Sequence, residues 1–271
     1  MKCSIRIALA LLLALALFTP ANAQDPPKPP TPPEQSNVPA TPAPPPLNPE
    51  EEDAYKKLYE HPKDDNEGLI RAAEEFAKKF PESRYLASVY GKLVNAYLAA
   101  QQIEKLFDAG EKALALNPDN VDVLPIMAWV VPRRIDPNAL DAQQKLEKAE
   151  AYGKRGMELL EAMEKPAEIA EEQFDQAKKE KLAMCHSGLG LVHLHRQKFG
   201  DAATELEQAT KLSSNPEPTD FFLLGLAYEQ TQRFGEAAGA YERCSSTPWA
   251  WQDRCKQGQD RTKKLAAGQK P

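Results

Sequence analysis

From Glu51 onward, apolar residues recur three and four positions apart, and Glu, Lys, Gln and Ala fill the places between them. That spacing lays an apolar stripe along an α-helix, and the filling residues are good helix formers. Alternating, strand-like runs are nearly absent. Breaks fall at Pro81, Asn117-Pro118, Pro132, Asp136-Pro137, Pro166, Asn215-Pro216 and Pro248, leaving segments mostly 12 to 30 residues long. Short connections make successive helices antiparallel neighbours.

One stretch occurs twice, 35 residues apart: Gln197-Lys198-Phe199-Gly200-Asp201-Ala202-Ala203 returns as Gln232-Arg233-Phe234-Gly235-Glu236-Ala237-Ala238. Upstream, Leu189-Gly190-Leu191 becomes Leu224-Gly225-Leu226; downstream, Leu206 and Ala209 become Tyr241 and Cys244. A fixed period of this size predicts a solenoid. Stacked helix pairs present an extended concave surface, which suits binding rather than chemistry.

Each unit resembles the tetratricopeptide repeat (TPR), whose pattern is W-x2-L-G-x2-Y…A-x3-F…P over about 34 residues. One unit carries His186, Leu189, Gly190 and His193, then Ala202, Leu206 and Ala209. The next carries Phe221, Leu224, Gly225 and Tyr228, then Ala237, Tyr241 and Cys244. An earlier unit reads Tyr90, Leu93, Val94 and Tyr97, then Ala113 and Pro118. The expected fold is an all-α solenoid of stacked antiparallel helix pairs over residues 51–266. Small residues at Gly190, Gly225, Ala202 and Ala237 let the helices of a pair approach, and Tyr97, Tyr228 and Tyr241 fill gaps. The middle departs from the pattern: Ala128 stands where the close-contact glycine belongs, and Pro132 ends its helix early. A long helix from about Leu140 to Met163 follows, with Gly153 and Gly156 echoing Gly110 and Ala113. Another spans Pro166 to about Gln197.

Residues 51–80 are expected to form a leading helix pair. Phe76-Ala77-Lys78-Lys79-Phe80-Pro81-Glu82-Ser83 is similar to a turn of exported bacterial repeat proteins, including components of outer-membrane assembly and envelope constriction. The last stretch, Pro248 to about Leu265, reads as a polar capping helix with Thr247 as N-cap and Pro248 at the first position.

The first fifty residues are of another kind. Lys2 and Arg6 precede an apolar run of twelve, Ile7 to Phe18, and Ala21-Asn22-Ala23 is an A-x-A cleavage site. This predicts a signal peptide, residues 1–23, and a mature start at Gln24. Twelve apolar residues fall short of the roughly 20 that span a bilayer. Cys3 precedes the apolar run, so it is not a lipidated cysteine. Residues 24–50 are expected to be a disordered, proline-rich linker, with 12 prolines between positions 25 and 49. Such composition favours solvated polyproline II and reaches about 75 Å when extended. It reads as a spacer or as a docking arm.

Of the 34 basic residues, Lys2 and Arg6 leave with the signal, so 32 remain against 40 acidic ones, a net charge of −8. This opposes general binding to nucleic acid or anionic membranes. The sequence predicts an exported protein, periplasmic or extracellular, with a protein or peptide partner in the cell envelope and no cofactor.

Candidate chemistry is sparse. There is no G-x-S-x-G, no H-E-x-x-H and no phosphate-cradling glycine loop, so no enzyme is expected. Cys185, His186, His193 and His195 cluster in sequence, but on a helix His195 points about 200° away from His193, so one face cannot supply three ligands. The runs Glu50-Glu51-Glu52-Asp53 and Glu171-Glu172 read as solvated helix starts, which the helix dipole favours. Cys244 and Cys255 form the candidate disulfide. A helix beginning at Pro248 would leave them about 7 Å out of step along the axis, and a later start would remove the mismatch.

The resemblance implies that the first helix of each pair lines the groove. Its register falls on Gly91, Lys92 and Asn95, then Trp129 and Arg133, then Ser187, Leu191 and His195, then Phe222, Leu226 and Gln230. A groove that clamps a terminal carboxylate needs several Lys, Arg and Asn residues, and only Lys92 and Asn95 match that chemistry. Trp129 is either a groove anchor or a residue packed under Pro132. The alternative reading is a structural adaptor of an envelope assembly, bound through the terminal repeats and the proline-rich arm.

Overall fold

The structure, a computed structural model, describes residues 48–268 apart from Lys63. The expected signal and the proline-rich segment up to Leu47 lie outside these residues. Where the description begins, Asn48 caps the first helix, accepting the Glu50 N–H at 3.1 Å. Pro49 takes the first helical position, where its missing N–H costs nothing. Helix α1 therefore spans Pro49–Tyr59, two residues ahead of the expected start. Asp65 caps α2 (Asn66–Lys79) through the Gly68 N–H at 2.8 Å.

The helices then pair in chain order. α3 (Leu86–Ala99) packs on α4 (Ile103–Leu116). α5 (Leu124–Val130) runs into a 3-10 turn at Val131–Arg134 and packs on α6 (Ala142–Ala162). α7 (Glu171–His195) packs on α8 (Phe199–Leu212), and α9 (Pro218–Gln230) on α10 (Phe234–Ser245). α11 (Gln252–Ala266) closes the series. No strand occurs among the described residues. The expected all-α stack of antiparallel pairs is the architecture observed. α5 is also in contact with α7, and α7 with α9, so these three first helices stand side by side.

The connection inside a pair repeats in detail. Gln101, Gln197 and Gln232 each follow a first helix with positive φ, at 55°, 58° and 60°. The residue after each donates its N–H five residues back: Gln102 to Tyr97, Lys198 to His193 and Arg233 to Tyr228, all at 2.9 Å. This is the Schellman end of a helix, in which a left-handed residue lets the last carbonyls find donors. Glycine is the usual occupant, because a Cβ there costs about 1 to 2 kcal/mol. Gln232→Gly is therefore expected to stabilise the domain by about 0.5 to 1 kcal/mol, since this relief exceeds the added chain entropy of glycine. A urea midpoint at or below the parent's would contradict it.

Within pairs, a Cβ on Gly190 would sit 2.6 Å from Leu206, and one on Gly225 2.7 Å from the Tyr241 ring. Between pairs, the Tyr97 hydroxyl donates to Glu74 of α2 at 2.6 Å, and the Tyr228 hydroxyl to Glu207 of α8 at 2.8 Å. Tyr241, 1% exposed, lies between Gly225 of α9 and Gly258 of α11. A continuous apolar core runs from Leu58 to Val192, and a second gathers residues of α8, α9 and α10.

Two expectations need correction. The acidic run at the start of α1 is not simply solvated. Glu50 pairs with Lys79, Ser83 donates to Glu51, and Glu52 accepts from Arg84 and from the Tyr85 hydroxyl at 2.6 Å. Leu58 is the one buried residue of α1, so polar contacts and the Tyr55–Tyr85 stack, 4.0 Å between centroids, supply much of its attachment. The last helix begins at Gln252, so Thr247 is not an N-cap and Pro248 is not a first helical residue. The later start places the Cys244 and Cys255 Cα atoms 5.8 Å apart, within disulfide reach, and the structure joins them.

Candidate functional site

The expected groove residues fall into three groups. At the N-terminal end, Lys92 and Asn95 of α3 join Gly91, Tyr59, Ser88 and Asn120 around a concavity of about 740 Å³. The Lys92 ammonium lies 4.8 Å from the Tyr59 ring centroid, a favourable cation–π distance. Asn95 is exposed, and its amide donates back to the Gly91 carbonyl at 3.0 Å. This end is polar and rich in amides.

The middle group is drawn inward. The 3-10 turn carries Arg133 over the Trp129 ring, 4.4 Å from guanidinium carbon to centroid. Nη1 donates to the Trp129 carbonyl at 2.7 Å, while Nη2 donates to Ser187 Oγ at 2.7 Å and to Asp220 Oδ1 at 3.1 Å. Ser187 also donates to Asp220. The Arg133 and Asp220 side chains are 16% and 10% exposed. Burial pushes the Asp220 carboxyl up and the Arg133 guanidinium down, each toward its neutral form, and their mutual attraction opposes both shifts. Glu217, nearby, is also pushed up by burial. The groove assignment of Arg133 is therefore corrected: its donors are spent on a node joining the α5 turn, α7 and α9. The Trp129 ring packs against that guanidinium. His195 meets the Pro132 carbonyl through Nε2 at 2.9 Å, which ties the end of α7 to the same turn.

The C-terminal group is apolar. Leu191, Phe222 and Leu226 are half-buried and pack against the α8–α10 core, while Gln230 at the end of α9 is exposed. On α9 the neighbouring Phe221, Leu223 and Leu224 are buried, so the half-buried positions mark the side of the helix turned from the core. The Phe222 ring lies 5.3 Å from Trp251 and 6.4 Å from Trp249.

The histidine cluster is engaged within the fold: His186 Nδ1 is 2.7 Å from Glu205, and the His193 Nδ1 is buried with no partner among the described residues. Among those residues, no group of three or more His, Cys, Asp or Glu is placed to hold a metal. Cys185 is buried, and desolvation pushes its thiol up to about 12. A second concavity, about 690 Å³, lies between α4, the 3-10 turn and α6, lined by Phe107, Ile135, Glu104, Arg134 and Lys148 among others. Sequence reading marked neither this concavity nor Asp220, whose place in the first turn of α9 looks like an ordinary dipole-favoured carboxylate.

No family model matches the chain, and no curated protein matches it. Several solved structures align along most of it. A thermophilic TPR protein of Thermus thermophilus shares 15% identity over 80% of this chain and 99% of its own, with a TM-score of 0.44. PilW, a widely conserved type IV pilus biogenesis factor, shares 12% over 82% and 94%, with a TM-score of 0.49. A TPR protein of Parabacteroides merdae shares 13% over 79% and 98%, with a TM-score of 0.32. What decides the architecture is internal: paired helices, a left-handed glutamine three times at the same turn, and small residues at the same contacts. The fold is a TPR-like α-solenoid. In such a fold, α3, α5, α7 and α9 are the first helices of their pairs. Among the described residues no helix is long and apolar enough to cross a membrane.

Proposed function

We propose that the chain is an exported, non-enzymatic scaffold that receives a peptide or helix of a cell-envelope protein along the face formed by α3, α5, α7 and α9. The observation that carries this reading is the graded character of that face. Amide and ammonium groups at Lys92 and Asn95 stand at one end, and half-buried Leu191, Phe222 and Leu226 at the other. An extended ligand would lay an apolar stretch against α7 and α9 and a polar stretch against α3, with apolar anchors supplying most of the affinity. Export rests on the signal-like first 23 residues and the A-x-A site.

The test is affinity capture from envelope extract with the chain from Gln24, beside a variant with Asn95, Leu191, Leu226 and Gln230 changed to Ala. Trp129 and Arg133 stay unchanged because they hold the node. A partner retained by the parent and lost at least about tenfold by the variant, at equal helicity, is expected. A partner kept by both would remove the groove and assign binding to the terminal repeats or the proline-rich arm.

A further inference from the structure

The segment Ser246–Trp251 between α10 and α11 is fastened at its base. The Cys244–Cys255 pair closes it, the Trp249 indole N–H donates to the Cys244 carbonyl at 2.9 Å, and the Gln252 amide donates to the Ser245 carbonyl at 2.9 Å. So held, it sets two indoles beside Phe222. Trp249 and Trp251 lie 5.8 Å apart at 39°, and Phe222 meets them at 70° and 72°. The rings meet at an angle, so their faces wall shallow slots. Trp251 is 42% exposed, its indole N–H has no acceptor among the described residues, and the Arg254 guanidinium lies 5.1 Å from its ring. The platform thus offers aromatic faces and free donors.

A proline-rich strand is the chemical complement. It presents pyrrolidine rings and unbonded carbonyl acceptors and has few N–H groups of its own. The chain itself contains Pro26-Pro27-Lys28-Pro29-Pro30-Thr31-Pro32-Pro33. In a polyproline II conformation, with three residues per turn, Pro26, Pro29 and Pro32 would share one edge, with Pro27, Pro30 and Pro33 beside them. Aromatic-lined surfaces take such segments by this spacing. Asp25 and Glu34 flank the run and complement Arg254.

We propose that this platform binds the proline-rich run Asp25–Glu34 of a second copy of the chain. The run precedes α1 and the platform joins α10 to α11, so the contact pairs different surfaces of the two copies. Such a head-to-tail contact need not close and extends a row of copies. It is independent of the envelope partner proposed above, sharing only Phe222 with that face.

The test is sedimentation of the chain from Gln24, which keeps every described helix, over concentrations up to about 1 mM, the weak end of specific binding. The parent is expected to gain mass with concentration. Trp251→Ala and the triple variant Pro26→Ala, Pro29→Ala, Pro32→Ala are each expected to stay monomeric with unchanged helicity. Mixed, they should form a 1:1 dimer, because one supplies the run and the other the platform. Reduction of the disulfide should weaken the parent's association. A parent that stays monomeric overturns the proposal; if its Trp fluorescence nevertheless changes in the triple variant, the run docks within its own chain. Association that survives either variant also overturns it and places the contact elsewhere. Loss of the groove variant's partner has no bearing on these readouts.

Discussion

Gly188→Ala is expected to destabilise the domain by about 3 kcal/mol, the upper end of overpacking costs. α7 passes α5 so closely that a Cβ at this position would lie 2.2 Å from the Ala128 carbonyl oxygen and 2.6 Å from its carbon. Those are backbone atoms held by their own helix, so relief requires the two helices to separate. The other glycines grade the effect. At Gly190 the obstacle is the Leu206 side chain and at Gly225 the Tyr241 ring, groups that can shift in part. Gly239 has nothing within 4 Å, so Gly239→Ala should stabilise by up to about 1 kcal/mol through helix propensity alone. Urea denaturation of the series would show the ranking. If Gly188→Ala proved no worse than Gly190→Ala, the backbone contact would not be limiting.

The second large effect belongs to Asp220→Ala, with an expected loss of about 3 to 5 kcal/mol. The substitution strands the buried Arg133 guanidinium, and Ser187 loses its acceptor as well. Removing both charges together should behave differently. Arg133→Met with Asp220→Leu deletes the desolvation penalty along with the attraction, and such exchanges are often neutral or stabilising. The cycle of single and double variants, followed by equilibrium unfolding, separates the cost of an orphaned charge from the worth of the pair. A loss of about 0.5 kcal/mol or less for Asp220→Ala, the range of ordinary surface changes, would show that the node bears little.

The repeat was legible because its signals are local. Gly190 and Gly225 occupy equivalent places in two stretches that match almost residue for residue, and the proline and asparagine breaks bound the helices. The third copy of the turn was harder to see. Gln101-Gln102-Ile103 keeps the glutamine and the following apolar residue but not the Gly-Asp-Ala sequence after it, so only φ reveals the kinship. The start of the last helix is equally hidden from local signals. Thr247-Pro248 has the composition of a helix entry, yet the disulfide and the Trp249–Cys244 bond hold the next residues out of helix. The node lay beyond sequence reading altogether. Arg133 finds Ser187 54 positions away and Asp220 87 positions away, and no local pattern encodes such a meeting. The groove register could be placed on the helices but not sorted into free and committed side chains, because that depends on which neighbours arrive from other pairs.

The reach of Arg133 also bears on how this chain comes apart. A stack of repeats behaves as a one-dimensional array when each unit touches only its neighbours, and such arrays can fray from an end one unit at a time. Here the third pair grips the fifth directly through Asp220, across the fourth. Opening α9 and α10 therefore disturbs α5 and its turn, and the last three pairs should melt as a single cooperative block, while α1, with one buried residue and largely exposed polar contacts, opens first.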